Sequence, residues 1–370
     1  MFRALLKNTD YIIVVVAIVL TLIGIFGIYS AGYNDEYSRS EYIKQLIWLG
    51  ISMIALVIVW FINYDVFGIL CYPFYIISIG LLIAVLFVDP IKGASSWFNF
   101  GTINFQPSEI AKIAYIIMFA KFLDYILSKD KKSINKWYNI LIALGIFAIP
   151  FTFICIQPDF GTALVFVCIT TFMLFKAGIS YKYILAGFLI LVIAIPIVYN
   201  FALNDIRKQR VTVFLNPEED PLGAGYNAIQ SKMAVGSGMI FGTGFLKGTQ
   251  TQYGYLPVKS SDFIFSVLSE EMGFIMSTII IILYTVLLLR VLKIAKTSKD
   301  RFGSLITIGV FGMILFHFLE NIGMTIGLMP ITGIPLPFVS YGGSSLLTNF
   351  ISLGIIVGIS ARRQKSLFID

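Results

Sequence analysis

Ten stretches of this 370-residue chain are apolar over a length that can cross a bilayer, near 11–29, 45–62, 67–88, 108–126, 138–156, 163–175, 184–203, 263–289, 305–326 and 346–360. A segment crossing about 30 Å of hydrocarbon must satisfy its backbone internally, which leaves a helix or a closed barrel. Continuous runs of this length, without the two-residue alternation of barrel strands, predict an all-α polytopic membrane protein. About ten transmembrane helices are expected, the sixth and tenth of them short. A mean hydropathy of +0.88 with only 13% charged residues excludes an ordinary soluble globular protein.

Lys and Arg set the orientation. With the N-terminus cytoplasmic, the inner segments carry sixteen of them, and the short outer loops carry only Arg39, Lys44 and Lys92. Six more lie in segment 204–262, which is long enough to translocate largely regardless of charge. Both termini are therefore expected in the cytoplasm, with one large extracytoplasmic loop over 204–262 in a single membrane domain, 1–370. The first apolar run, about 18 residues behind Arg3 and Lys7, exceeds the usual core of a cleaved signal peptide. Cys71, Cys155 and Cys168 all fall inside spans, so no disulfide is expected. The net charge of +7 is accounted for by the inside asymmetry, and no basic stripe interleaved with aromatics points to nucleic acid.

The polar outer segments carry the chemistry. Gln106-Pro107-Ser108-Glu109 and Gln157-Pro158-Asp159 repeat one device, proline and then an acid at the outer start of a span. Proline suits a first helical turn, and an acid there meets the positive end of the helix dipole, so capping is the plain reading of both. Lys112 changes the reading for the fourth span, because three residues place Glu109 and Lys112 on one helix face below the interface. An internal ion pair relieves the cost of both charges, and it is also a way to hold a charged headgroup.

In the long loop, Arg207, Lys208 and Arg210 precede FLNPEEDPLGAGY, whose Pro and Gly residues dictate turns. Tyr226, Ile229 and Met233 then mark a short helix at the membrane surface. Five glycines follow between Gly236 and Gly248, with no phosphate-loop pattern. Asp262 sits where this polar segment meets the next span, a position usually retained for a function. His317, Glu320 and Asn321 close the ninth span; the single histidine of the chain cannot build a usual zinc site and reads as a hydrogen-bonded structural residue.

Carboxylates and cations gathered on an outer face suit a lipid-borne substrate with an anionic diphosphate, and an outer carboxylate can act as general base on a sugar hydroxyl. Spacing alone leaves a lipid-linked glycosyltransferase, a lipid flippase and a solute transporter level.

The motifs themselves separate these readings. GASSWF, QPSEIAK, QPDFGTAL, RVTVFLNPEEDPLGAGYNAIQSKMAVGSG, GTQ, SSDFIFSVLSEEMGF and NIGMTIGLMPITGIPLPFVSYGGSS resemble, in order and from first span to last, the SEDS family of shape, elongation, division and sporulation proteins. Gly248-Thr249-Gln250 and Phe105 resemble the elongation branch, RodA-like, more than the division branch. The resemblance implies a peptidoglycan glycosyltransferase polymerising lipid II on the outer face of the bacterial plasma membrane. The growing strand is then an undecaprenyl-diphosphate-linked glycan. The resemblance implies that Asp262, matching the family's essential carboxylate, is the general base or essential active-site acid, and that Glu109 and Lys112 at its QPSE-x-x-K positions and Asp159 at its QPD position bind substrate. Arg210 is a diphosphate candidate by charge and place. One departure is Ser96, where many members carry an arginine before the tryptophan, here Trp97; a phosphate contact there would fall to another residue such as Lys92. The resemblance also implies a class B penicillin-binding protein and other elongation-complex membrane proteins as partners. It implies a divalent cation, Mg or Mn, as well; spacing shows no metal cluster, and Asp262 could share a metal with Glu270 or Glu271 only across a distorted span entrance. A lipid II flippase and a non-catalytic scaffold for the partner synthase remain as alternatives.

Overall fold

A computed structural model describes residues 8–35, 38–88, 96–99, 101, 104–130, 132–183, 185–187, 189, 192, 214–223 and 225–363. Its long helices are α1 (Tyr11–Ala31), α2 (Glu41–Phe61), α3 (Tyr64–Ala84), α4 (Pro107–Lys129), α5 (Trp137–Ile156), α6 (Phe160–Ala177), α9 (Ile264–Thr297), α10 (Arg301–Thr325) and α11 (Gly343–Ala361). Two short helices in the polar loop are α7 (Tyr226–Ser237) and α8 (Thr249–Gln252), and a two-residue hairpin pairs β1 (Phe98–Asn99) with β2 (Asn104–Phe105). The protein is a polytopic helical membrane protein. Eight of the helices are long and apolar enough to cross a membrane. The ninth, α4, spans 23 residues and carries Glu109, Lys112, Lys121 and Asp124 along its length. Nine of the ten expected spans thus correspond to long helices. The remaining one, the seventh, over 184–203, falls mostly outside the described residues, and Lys92 and Arg210 lie outside them too.

Burial separates a centre from a rim. Most of α10 and α11 is buried, 83% of each apolar window, whereas α2 buries 17% and turns its remaining faces outward. A helix that is apolar all round belongs in a core or in lipid, and these helices divide between the two. Small residues let backbones approach where the centre is tightest. A side chain on Gly24 would collide with the Val339 carbonyl, and one on Gly27 with Leu268.

The eighth span departs from expectation. In place of one regular helix over 263–289, α9 runs 34 residues and breaks at Gly273, whose φ of 72° only glycine adopts freely. At the break, segment 239–244 lies alongside. Phe274 and Ile275 donate to the carbonyls of Met239 and Ile240, while Thr243 and Gly244 donate to those of Glu270 and Glu271. A Cβ on Gly273 would sit 2.3 Å from the Gly242 nitrogen, so contact and torsion both demand glycine.

The alternating helices bring the polar loops to one end of the bundle. There Gln252 meets Ser30, Gln45 meets Ser340, Gln106 meets Asp159, and Gln157 reaches the Leu82 carbonyl. The opposite end is tied by an Arg290–Asp10 pair at 3.5 Å, by Tyr64 donating to Asp300, and by Arg362 donating to the carbonyls of Trp60 and Phe61.

Candidate active site

Asp262 stands two residues ahead of α9, delivered by a tight turn. The Val258 carbonyl accepts from the backbone N–H groups of Ser261, Asp262 and Phe263 at 3.2 to 3.4 Å. Val258 itself has φ of 48°, an outlier for a β-branched residue. A second strained residue, Phe338 at φ 69°, lies in the facing turn before α11. The two turns are stitched together, since Ser340 Oγ donates to the Ser261 carbonyl at 2.6 Å and Tyr341 N–H to the Ser260 carbonyl at 2.9 Å. Strain of this kind persists where surrounding contacts over-determine it, and it clusters at functional sites. Here it fixes the half-buried Asp262, whose carboxylate also accepts from the Ser261 hydroxyl at 2.9 Å.

Asn321 couples this turn to the bundle. Its Nδ2 group donates to the Asp262 carbonyl at 2.9 Å and to the Ile334 carbonyl at 2.8 Å, so both of its protons are used and its Oδ1 is left buried and unpartnered. One turn deeper on the same face of α10, His317 faces Lys112. Lys112 Nζ lies 3.0 Å from Glu109 Oε1 and 3.0 Å from His317 Nε2, with lysine and glutamate both almost fully buried. Glu109 Oε2 has no partner. The expected internal ion pair is therefore present, and its unspent oxygen leaves room for a further hydrogen bond.

Asp159 behaves differently. Its Oδ1 caps α6 by accepting from Thr162 N–H at 3.0 Å, and its Oδ2 accepts from Gln106 Nε2 at 3.0 Å. Ser96, where an arginine was expected to be usual, donates to the Gln157 carbonyl at 3.2 Å and so ties the hairpin region to the same helix start.

Glu270 and Glu271 lie eight and nine residues after Asp262, roughly 12 Å or more at about 1.5 Å of rise per residue, and the helix from Ile264 to Glu271 is regular. Their carboxylates serve another purpose. Glu270 accepts from Gln250 N–H at 2.7 Å, from Thr251 N–H at 3.0 Å and from the Thr251 hydroxyl at 2.7 Å, and Glu271 from Ser30 at 2.5 Å and Gln252 at 3.0 Å. A side chain on Gly248 would strike Glu270 Oε2 at 2.6 Å, which is why the GTQ element opens on glycine. Lys259 completes this clasp by donating to the Thr251 carbonyl at 3.1 Å. Burial lowers its pKa, while Asp35 and Glu41 pull it back up. Among the described residues no three His, Cys, Asp or Glu side chains converge on a point.

Sequence reasoning missed Ser340, Gln45 and the clasp by Glu270. Asn321 was visible as a polar residue four positions from His317 in an apolar span, but its partners are 13 and 59 residues away.

The sequence and the fold have counterparts among known proteins. Residues 10–365 match the FtsW/RodA/SpoVE family, described as cell cycle proteins. The chain belongs to that family. Among its relatives, the peptidoglycan glycosyltransferase MrdB of Escherichia coli K12 is 41% identical over 78% of this chain and 77% of its own length. The peptidoglycan glycosyltransferase RodA of Treponema pallidum is 35% identical over 96% of this chain and 98% of its own. A solved structure described as a peptidoglycan synthase complex that coordinates polymerization and crosslinking superposes with a TM-score of 0.83 at 27% identity, covering 96% of this chain and 99% of the other. The FtsW/RodA/SpoVE match thus runs through every element that builds the site.

Proposed function

We propose that the end of the bundle carrying Asp262 faces outward from the plasma membrane and there joins lipid II units into glycan strands during cell elongation. That the chain is a peptidoglycan glycosyltransferase follows from its family and from relatives named for that activity over most of its length. The observation that carries the mechanism is the stack described above: a half-exposed Asp262 on a strained, doubly stitched turn, above a buried Glu109–Lys112 pair with an oxygen to spare.

In this reading the GlcNAc 4-hydroxyl of the acceptor attacks the anomeric carbon of the growing strand in a single inverting displacement, and undecaprenyl diphosphate leaves. Asp262 takes the hydroxyl proton, work worth about 10²–10⁴-fold. Lys112 supplies positive charge toward the anionic substrate, and Arg210 holds diphosphate from the outer loop. A class B penicillin-binding protein crosslinks the product. The test is polymerisation of labelled lipid II by purified protein. Asp262→Asn keeps size and shape, so it should insert and fold while making no polymer. Normal turnover by that variant would sink the assignment of Asp262, and lipid movement between leaflets without polymer in the wild type would favour a flippase instead.

Orientation is tested separately. In a background lacking Cys71, Cys155 and Cys168, cysteines at the exposed positions Ser237 and Thr297 should label oppositely with an impermeant maleimide on intact cells. Ser237→Cys should react and Thr297→Cys should not; the reverse pattern would overturn the outward site.

A further inference from the structure

His317 is not used by the reaction just described, yet it touches Lys112, the buried cation among the described residues of the site. Its Nε2 lies 3.0 Å from Lys112 Nζ and its Nδ1 3.2 Å from the Pro335 carbonyl, and the ring is 2% exposed. An ammonium has protons but no acceptor, so Nε2 must offer its lone pair; a carbonyl only accepts, so Nδ1 must carry the hydrogen. One neutral tautomer satisfies both contacts. An imidazolium would instead set two cations 3.0 Å apart against the single Glu109 carboxylate.

We infer that His317 is the positioning residue for Lys112: a neutral imidazole that spends one ammonium proton, aims the others, and locks the lysine to the loop that also holds Asp262. The coupling is physical. Pro335 lies beside Ile334, whose carbonyl shares Asn321 Nδ2 with that of Asp262, and Leu336 N–H bonds to Ser340, which reaches Ser261. A shift of the loop is thereby transmitted to Lys112, and the ammonium keeps its place relative to the turn of Asp262. Without the imidazole, Lys112 would swing toward Glu109 alone and close off the oxygen that now has no partner.

Two substitutions separate this role from simple packing. In His317→Gln the longer amide can place its oxygen where Nε2 was and still accept from Lys112. In His317→Asn the shorter amide reaches only toward Pro335. The inference, which rests on the glycosyltransferase reading for its activity arm, expects His317→Gln to polymerise lipid II near the wild-type rate and His317→Asn to fall about tenfold or more, as small displacements of a reacting constellation do. It is overturned if His317→Asn keeps the wild-type rate, or if both variants fall together. A thermal-melting cycle of His317→Asn with Lys112→Met, in detergent, reads the contact without chemistry. Non-additive melting shifts support the contact and additive shifts overturn it. A wild-type protein that makes no polymer would sink the enzymatic reading while this second arm still decides the pairing.

Discussion

Two helix starts in this protein carry almost the same sequence and do different work. Gln106-Pro107-Ser108-Glu109 and Gln157-Pro158-Asp159 both place proline and an acid at the entrance of a span. Asp159 is spent locally, on the cap of α6 and on Gln106. Glu109 turns away from the helix end to a lysine one turn below it and retains a free oxygen. The difference is set by one residue, Lys112, which draws the acid inward. An acid on a helix start is thus a cap by default, and becomes part of a site when a buried cation shares its face.

Removing one member of the inward pair should break this contrast most severely. Lys112→Ala strands Glu109 in the bundle, a loss of about 3–5 kcal/mol for a buried pair, seen as a large fall in melting temperature together with lost polymerisation. A Lys112→Ala protein as stable as the wild type would place both charges in water. A smaller effect belongs to Glu270, whose two oxygens are both engaged by the loop 249–251. Glu270→Ala leaves the Gln250 and Thr251 N–H groups without their acceptor, costing about 2 kcal/mol. Faster hydrogen exchange confined to 248–252 should accompany it, and unchanged exchange there would refute the clasp. The smallest effect is expected at Asp159, where Asp159→Ala removes a helix cap worth about 1 kcal/mol. Polymerisation should survive in that variant, and its abolition would show that Asp159 handles substrate and that the two helix starts are alike after all.

The hinge in α9 offers a further comparison, between a sequence that looks like one span and a structure that makes two segments of it. Nothing in EEMGFIM distinguishes Gly273 from a tolerated helix glycine. The break exists because segment 239–244, thirty residues earlier in the chain, supplies carbonyls and N–H groups to the exposed helix ends. Local propensity cannot report such a partner.

Apolar length and the sparse distribution of charge determined by themselves that this is a bundle of long helices, because backbone groups in hydrocarbon have no alternative partner. Helix spacing determined that Glu109 and Lys112 meet, since residues three apart share a face whatever surrounds them. Asp262, at the water-lipid boundary, was likewise legible as a candidate. Tertiary structure alone decided that His317 is the third member of the buried pair and that Asn321 and Ser340 hold the Asp262 turn. It also decided that Glu270 fastens a loop. Each of these contacts joins residues separated by 13 to 205 positions, and hydrogen bonds over such separations are fixed by which helices pack together, which no local period encodes.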